Sequence, residues 1–519
     1  MNRAAVYPIA ETRISRVFLA LVLLFFISGC TTLGPDFSPP EAPVAADWSE
    51  TDPAMLSNQP ADHPQWWTAF NDPVLNQLIE IAQSQNLTLR SAGLRVLQAQ
   101  AQLGIATGSK YPQVQQVSGS ATQYKISKNG SDNIPQLDDS FGLYNLDFGL
   151  SWEVDFWGRF QRMIESSSAQ LQAQVANYDA VMVELTAEVA RSYVLLRTLE
   201  TRVQLARQNV AVQARALQIA DVKFRNGAVT ELDVQQARTI LNKTKSLIPA
   251  LQSSLSEASN ALAVLLGMLP QDLEPLLSVS APVPSPSAVV AVGMPQDLIR
   301  RRPDIRRAEW AMAAQSAQIG VAVTDLYPHF SLGGSIGVST TDIGGNGFID
   351  LFDADSVGSS LFGGFTWNVF NYGRLKNNVR FQDARFQELL VDYQRLVLTA
   401  QAEVDTAIAA YLRAHTQARY LAESVDAATR SVELSTVQYR EGSIDFNQVL
   451  STLTQQTEQQ DALTATTGTI ATNLVNLYKV LGGGWQFDAE RGVDDYANSR
   501  DQKDMLSRTS YWHGILPDQ

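Results

Sequence analysis

Two stretches of this chain leave little choice of fold. From Arg159 to Asn226 there is neither glycine nor proline, and from Arg374 to Glu441 again neither. Such runs can stay helical throughout, and at 1.5 Å per residue each would reach about 100 Å. That is far beyond an ordinary globular helix, so each must pack along its length. Stepping alternately four and three residues from Leu171 to Phe224 visits 16 positions, of which 14 are apolar, Ser192 and Gln213 being the exceptions. The same register from Phe386 to Tyr439 is apolar at 15 of 16, with only Ser435 outside. A sustained 3.5-residue period predicts coiled-coil packing. Alanines such as Ala206, Ala220, Ala400 and Ala407 let helices approach closely.

The spacing of the two runs reveals a duplication. Gly158-Arg159 recurs as Gly373-Arg374, Ala187-Glu188-Val189 as Ala402-Glu403-Val404, Arg225 and Gly227 as Arg440 and Gly442, and Leu266-Gly267 as Leu481-Gly482, all at an offset of 215. Tyr111-Pro112 recurs as Tyr327-Pro328 at 216. A common offset for this many pairs marks two copies of one unit. Each copy reads as a helix up to the Tyr-Pro pair, two strand-like segments, a very long helix, a glycine stop and a returning helix. The expected boundaries are a first copy over 63–270, a Pro-rich connector over 271–295, a second copy over 296–485 and a tail over 486–519.

The strands have another period. From Leu146 to Phe156, apolar Leu146, Phe148, Leu150, Trp152, Val154 and Phe156 alternate with Asp147, Gly149, Ser151, Glu153 and Asp155. Period two puts every apolar side chain on one face. The second copy offers Phe330, Leu332, Ile336 and Val338, then Phe365, Trp367 and Val369, and segment 113–126 alternates more weakly. A soluble sandwich would need a core that the long helices do not supply. A membrane strand needs roughly 9–11 tilted residues, which these segments provide. Four such strands per chain cannot close a barrel, and an open edge in lipid strands backbone groups without partners. Several chains are therefore required, and three would give twelve strands; strand number alone leaves two or four open.

The N-terminus reads as an export signal. Arg3, Arg13 and Arg16 precede an apolar run from Val17 to Ile27, too short to span a bilayer, followed by Ser28, Gly29 and Cys30. Residues 1–29 are expected to be removed and Cys30 acylated. Cys30 is the only cysteine, so no intramolecular disulfide can form. Residues 30–62, rich in Pro and Ala, read as an extended arm. The chain has 39 Lys+Arg against 53 Asp+Glu, a net charge of −14; loss of three Arg and Glu11 with the signal leaves −16. That balance excludes a nucleic-acid binder, which needs a basic face. A mean hydropathy of −0.10 excludes a multi-pass helical membrane protein.

Trp66-Trp67-x-x-Phe70-x-Asp72-x-x-Leu75, Arg302-Pro303-Asp304-Ile305-x-x-Ala308-Glu309, Tyr327-Pro328 and Gly373-Arg374 resemble the outer-membrane efflux protein family, the TolC/OprM-like lipoproteins. The likeness runs in order from about residue 60 to 485. It implies a mainly α protein with membrane β: a homotrimer with a 12-stranded β-barrel in the outer membrane and a helical tunnel in the periplasm. It implies docking through a periplasmic adaptor to an inner-membrane pump of the resistance-nodulation-division type, with no cofactor beyond the lipid on Cys30. Thr31, not Asp, follows Cys30, which the resemblance associates with sorting to the outer membrane.

The resemblance places adaptor contacts at the hairpin tips, on Gly227, Ala228, Gly442 and Ser443. Asn226 and Glu441 depart from the Val common just before those glycines. A family Asp ring nine residues past the second tip glycine falls on Ser451, and an upstream constricting Leu falls on Asn447, so the expected ring is absent. Tyr439, Arg440, Asp445, Asn447 and Ser451 remain gate candidates, Asp445 also reading as a turn or N-cap residue. Asp147, Glu153 and Asp155 could face a lumen. His63, His329, His415 and His513 are scattered without ligand spacing, and Gly104-x-x-x-Gly108-Ser109-Lys110 is too short for a phosphate loop. The Asp/Gly-rich stretch Thr341–Asp355 reads as a solvated loop between strands. No catalytic constellation emerges. The other readings are a type I protein-secretion duct, a periplasmic adaptor, which should carry one hairpin rather than two, and a non-conducting lipoprotein scaffold.

Overall fold

A computed structural model of the chain describes residues 31–57, 64–127, 140–278, 281–285, 289–343, 347–486 and 491–517. The signal segment, Cys30 and His63 lie outside the described residues. The principal elements are α1 (Pro73–Gln85), α2 (Leu87–Gly108), β1 (Val114–Lys125), β2 (Ser140–Val154), α3 (Arg159–Arg225), α4 (Glu231–Leu266), α5 (Pro303–Thr324), β3 (His329–Thr341), β4 (Val357–Thr366), α6 (Arg374–Glu441), α7 (Phe446–Val480) and α8 (Ser499–Arg508). Both long runs are thus single helices, of 67 and 68 residues. The series α2-β1-β2-α3-α4 repeats as α5-β3-β4-α6-α7, as the duplication predicts. Among the described residues no helix is long and apolar enough to cross a membrane.

Two compact units emerge. The first holds the described residues of Met1–Pro40, Ala99–Gln172 and Trp310–Leu390. Its centre is an antiparallel sheet in the order β1-β2-β3-β4. Phe148 sits opposite both Val117 and Ile336, and Trp152 opposite Leu332, so one face collects the apolar side chains. Among the described residues nothing covers that face: Val117, Phe148, Leu150, Leu332, Ile336 and Leu361 are all exposed. The other face is mostly small and polar, with Ser335 and Ser360 hydroxyls 2.8 Å apart, and with Phe362 opposite Gly333 and Tyr124 stacked on Phe141 as apolar exceptions. Gly337 leaves room there for Asp147, whose carboxylate would overlap a Cβ at that position.

The alternation in the second copy overruns its strand. β4 stops at Thr366 because its partner β3 begins at His329, and beyond that rung no ladder remains. Trp367 instead donates its indole N–H to the Leu326 carbonyl, at 3.0 Å. β2 likewise ends at Val154, where its rung with Phe330 is the last. The segment expected as a loop before β4 contains two 3-10 turns, Phe348–Phe352 and Ala354–Ser356, with Leu351 buried. Among the described residues no group of His, Cys, Asp or Glu could hold a metal ion.

The second unit holds Glu41–Gln98, Ala173–Glu309 and Val391–Gln519, each in its described part. Here the 3.5-residue seam is the buried one: Leu185, Val189, Leu196, Leu199, Val203, Ala206 and Ala220 on α3, and Val397, Ala400, Val404, Ala407, Tyr411, Ala414, Val432 and Tyr439 on α6. The polar exceptions Gln213 and Ser435 are buried too, and each finds a partner. Gln213 donates to the Thr457 hydroxyl at 3.3 Å, and the Ser435 and Thr452 hydroxyls lie 2.8 Å apart. Gly468 brings α7 against α3, where a Cβ would overlap the Thr198 side chain.

The short motifs are structural fasteners of this unit. Trp66 stacks on Tyr478 with centroids 5.3 Å apart, and Asp72 caps α1 while accepting the Tyr193 hydroxyl at 2.8 Å. Arg302 grips Asp304 (3.0 and 2.8 Å), Glu403 (2.6 Å) and the Val480 carbonyl (3.3 Å), pinning the start of α5 to the end of α7. Burial alone would raise the Asp304 carboxyl; the adjoining guanidinium outweighs it and holds the group below the usual carboxylate range. The tail folds back. Asp501 on α8 takes two hydrogen bonds from Arg90 (3.1 and 2.7 Å), while Met505 and Leu516 pack with Leu97.

Candidate functional site: the hairpin tips

Each tip is built by the same local rule. At the end of α3, Gly227 takes φ +70°, its N–H bonds the Phe224 carbonyl at 2.9 Å, and Ala228 N–H bonds the Lys223 carbonyl at 2.9 Å. At the end of α6, Gly442 takes φ +83°, with Gly442 N–H on Tyr439 (3.1 Å) and Ser443 N–H on Gln438 (2.9 Å). This is the Schellman stop, in which a left-handed residue satisfies the last helix carbonyls. Gly227, Ala228, Gly442 and Ser443 are all exposed. A Cβ at either glycine would meet nothing, so the glycine serves the backbone turn and the space outside stays free.

Beneath the tips lies an apolar plug of Ala216, Ala220, Val234, Ala237, Ile240, Val432, Tyr439, Phe446, Val449 and Leu453. Tyr439 is its polar centre, only 3% exposed. Its ring meets Phe446 edge-on at 5.3 Å. Its hydroxyl donates to the Asp233 carboxylate at 3.2 Å. Lys223 Nζ sits 4.6 Å from the ring centroid and donates to the Tyr439 carbonyl at 2.5 Å. Burial, and then the adjacent Asp233 charge, push the Tyr439 phenol well above its ordinary value, so it stays a protonated donor at neutral pH. Lys223 and Asp233 come from the first copy's hairpin and Tyr439 from the second's, so these bonds tie one hairpin to the other.

The other gate candidates sort plainly. Asn447 accepts from Gln236 at 2.9 Å, a second tie between the hairpins. Asp445 caps α7, accepting the Gln448 N–H at 3.3 Å. Arg440 and Ser451 are exposed. In the sheet unit, Glu153 is engaged with Arg159 (3.3 Å) and His329 (2.9 Å), and Asp155 accepts the Phe160 and Gln161 N–H groups at the start of α3. Sequence reasoning passed over Lys223 and Asp233. The signal lay in the alignment of one copy on the other: their counterparts are Gln438 and Gln448, and that of Tyr439 is Phe224, so the copies diverge at all three places.

A sheet with a bare apolar face, carried by a duplicated chain with twin hairpins that end in exposed glycine turns, is the architecture of TolC-like outer-membrane channels. The outer membrane efflux protein family model matches residues 78–268 and 294–483, and the chain belongs to that family. The pyoverdine export outer membrane protein OpmQ of Pseudomonas putida is 30% identical over 457 residues, covering 87% of this chain and 95% of its own. Nodulation protein T of Rhizobium leguminosarum bv. trifolii is 31% identical over 482 residues, covering 93% of this chain and 99% of its own. The solved structure of the outer-membrane channel OprN superposes with a TM-score of 0.81 at 30% identity, covering 88% of this chain and 100% of that one.

Proposed function

We propose that three copies of this chain form an outer-membrane exit duct that passively conducts small molecules expelled by an inner-membrane pump. The observation that carries this reading is the four-stranded sheet. Among the described residues its apolar side chains face outward without cover, and β1 and β4 each have a strand neighbour on one side only. In lipid each backbone group left unpaired costs several kcal/mol, so such a sheet is stable only when other copies close it. Three copies supply twelve strands, enough for a water-filled lumen. No reaction is needed of the chain; the pump supplies the energy.

In this reading Cys30, released by cleavage after residue 29, carries the lipid anchor. The exposed tips at Gly227, Ala228, Gly442 and Ser443 receive the helical hairpins of a periplasmic adaptor, which links the duct to a pump of the resistance-nodulation-division type. Tyr439, held by Asp233 and Lys223, keeps the hairpins together at rest, and Asn447 with Gln236 adds to the hold. Arg440, Asp445 and Ser451 take no part in that hold: all three are exposed, and Asp445 caps α7.

Purified protein in a planar bilayer tests the proposal. Discrete conductance steps of one size are expected, rare in the wild type and frequent once the Tyr439 contacts are removed. A protein that inserts and never conducts, with or without those contacts, is a scaffold and not a duct.

A further inference from the structure

The polar face of the sheet carries one arrangement that the duplication does not repeat. Ser118 opposite Asp147 in the first hairpin corresponds to Gly333 opposite Phe362 in the second, an offset of 215 in both strands. The same position is thus an acid in one copy and a phenyl ring in the other. The partner strand differs as well. On this face β1 presents Ser118, Ser120 and Thr122, whereas their counterparts on β3 are Gly333, Ser335 and Gly337.

Those two glycines decide where the neighbouring side chains lie. A Cβ at Gly333 would overlap the Phe362 ring, and one at Gly337 would overlap the Asp147 carboxylate. Phe362 from β4 and Asp147 from β2 therefore lean over β3 from opposite sides, at points four residues or about 13 Å apart. Between them the floor is Ser335, whose hydroxyl is already paired with that of Ser360 at 2.8 Å. The result is a shallow trough with an apolar end and a negative end. Both ends are open to a visitor. Phe362 is 54% exposed. Among the described residues Glu153 pairs with Arg159 and His329, whereas Asp147 pairs with no cation.

We infer that this trough is a resting site for elongated organic cations that carry an apolar group far from the charge, the apolar end on Phe362 and the charge beside Asp147. The carboxylate sets the sign, since it attracts a cation and repels an anion. The phenyl ring sets the character of the other end. The separation sets the length, because a compact cation reaches one end only. Ser335, already partnered, asks for no hydrogen bond from the middle of the occupant. Each contact is exposed and changes affinity by only roughly two- to fivefold, which suits passage more than retention. The inference rests on the duct reading, in which this face lines the lumen, and adds to it a class of cargo and the residues that meet it.

Block of ionic current through the full-length protein in a planar bilayer tests it. Phenylhexyltrimethylammonium, long enough to span most of the trough, should half-block at a lower concentration than benzyltrimethylammonium, whose charge adjoins its ring. Phenylhexanoate, an anion with the same apolar end, should block least. Asp147→Asn should raise the half-blocking concentration of the long cation roughly two- to fivefold and lower the preference for potassium over chloride. Phe362→Ser should raise it by a similar factor and leave the ion preference unchanged. Phe362→Thr, a better strand former, takes its place if the serine variant fails to fold. Equal block of wild type and both variants, in channels that conduct, overturns the trough and leaves the duct standing. An effect of Asp147→Asn with none at Phe362 reduces the site to a plain charge and overturns the pairing. A protein that never conducts overturns the duct reading itself.

Discussion

Replacing Tyr439 with Phe removes one hydroxyl and little else. The ring would keep its edge contact with Phe446 and its place under Lys223 Nζ. What goes is the 3.2 Å bond to the Asp233 carboxylate. A hydrogen bond to a charged acceptor is worth about 1.5–3 kcal/mol net, and since Asp233 is only half-buried the lower end applies. About 1.4 kcal/mol is a factor of ten, so each chain's closed state should lose roughly tenfold in weight. If three chains open together the factors multiply, to about a thousandfold at most. Open-state occupancy in planar bilayers at fixed voltage reads this directly. Asp233→Ala should match Y439F, and the double variant should do no more than either, since both delete the same bond. An occupancy in Y439F within twofold of wild type, or additive effects in the double variant, would refute the assignment of the hold to this bond.

Stability and accessibility give three more tests. Burial lifts the Asp179 carboxyl to about 6, against the opposing pull of Arg491 and Arg306, and the side chain is 5% exposed. The folded chain therefore binds that proton more tightly than the unfolded one. The stability it contributes is whole below about pH 4 and is lost as pH rises through 6, up to about 3 kcal/mol; thermal midpoints of Asp179→Asn should lack this decline. Gly468→Ala would drive a methyl into the Thr198 side chain, costing about 1–3 kcal/mol by overpacking, and Thr198→Ala should restore the thermal midpoint. Arg162, its side chain 5% exposed, donates to the Leu33 (3.0 Å) and Gly34 (3.2 Å) carbonyls and to Asp36 (2.8 Å), so Arg162→Met should expose the arm to limited proteolysis without loss of the sheet.

Helix ends were legible because their cause is local: a glycine in the left-handed region at Gly227, Gly267, Gly442 and Gly482 stops each helix wherever it stands. The faces of β2 and the seams of α3 and α6 were legible because burial imposes a period. Asp445 declared itself as a cap by its place after the turn. α8 did not, since Ser499–Arg508 is almost wholly polar and owes its position to Arg90 and to the cluster around Leu97. Strand ends were also hidden, because the last rung of β4 depends on where its partner starts and not on its own residues. The Tyr439 ties escaped for a related reason. They join residues more than 200 positions apart, and nothing near Asp233 or Lys223 announces a partner.

Divergence of the duplicated halves at the tips has a mechanical consequence. Where Lys223, Asp233 and Tyr439 clasp the two hairpins of one chain, the counterparts Gln438, Gln448 and Phe224 offer no ammonium, no carboxylate and no phenol. In a closed ring the seams at the mouth would therefore alternate, clasped within each subunit and bare between neighbours. Such a ring parts along alternate seams first, moving in pairs of hairpins like the leaves of a three-bladed shutter instead of yielding evenly around its rim.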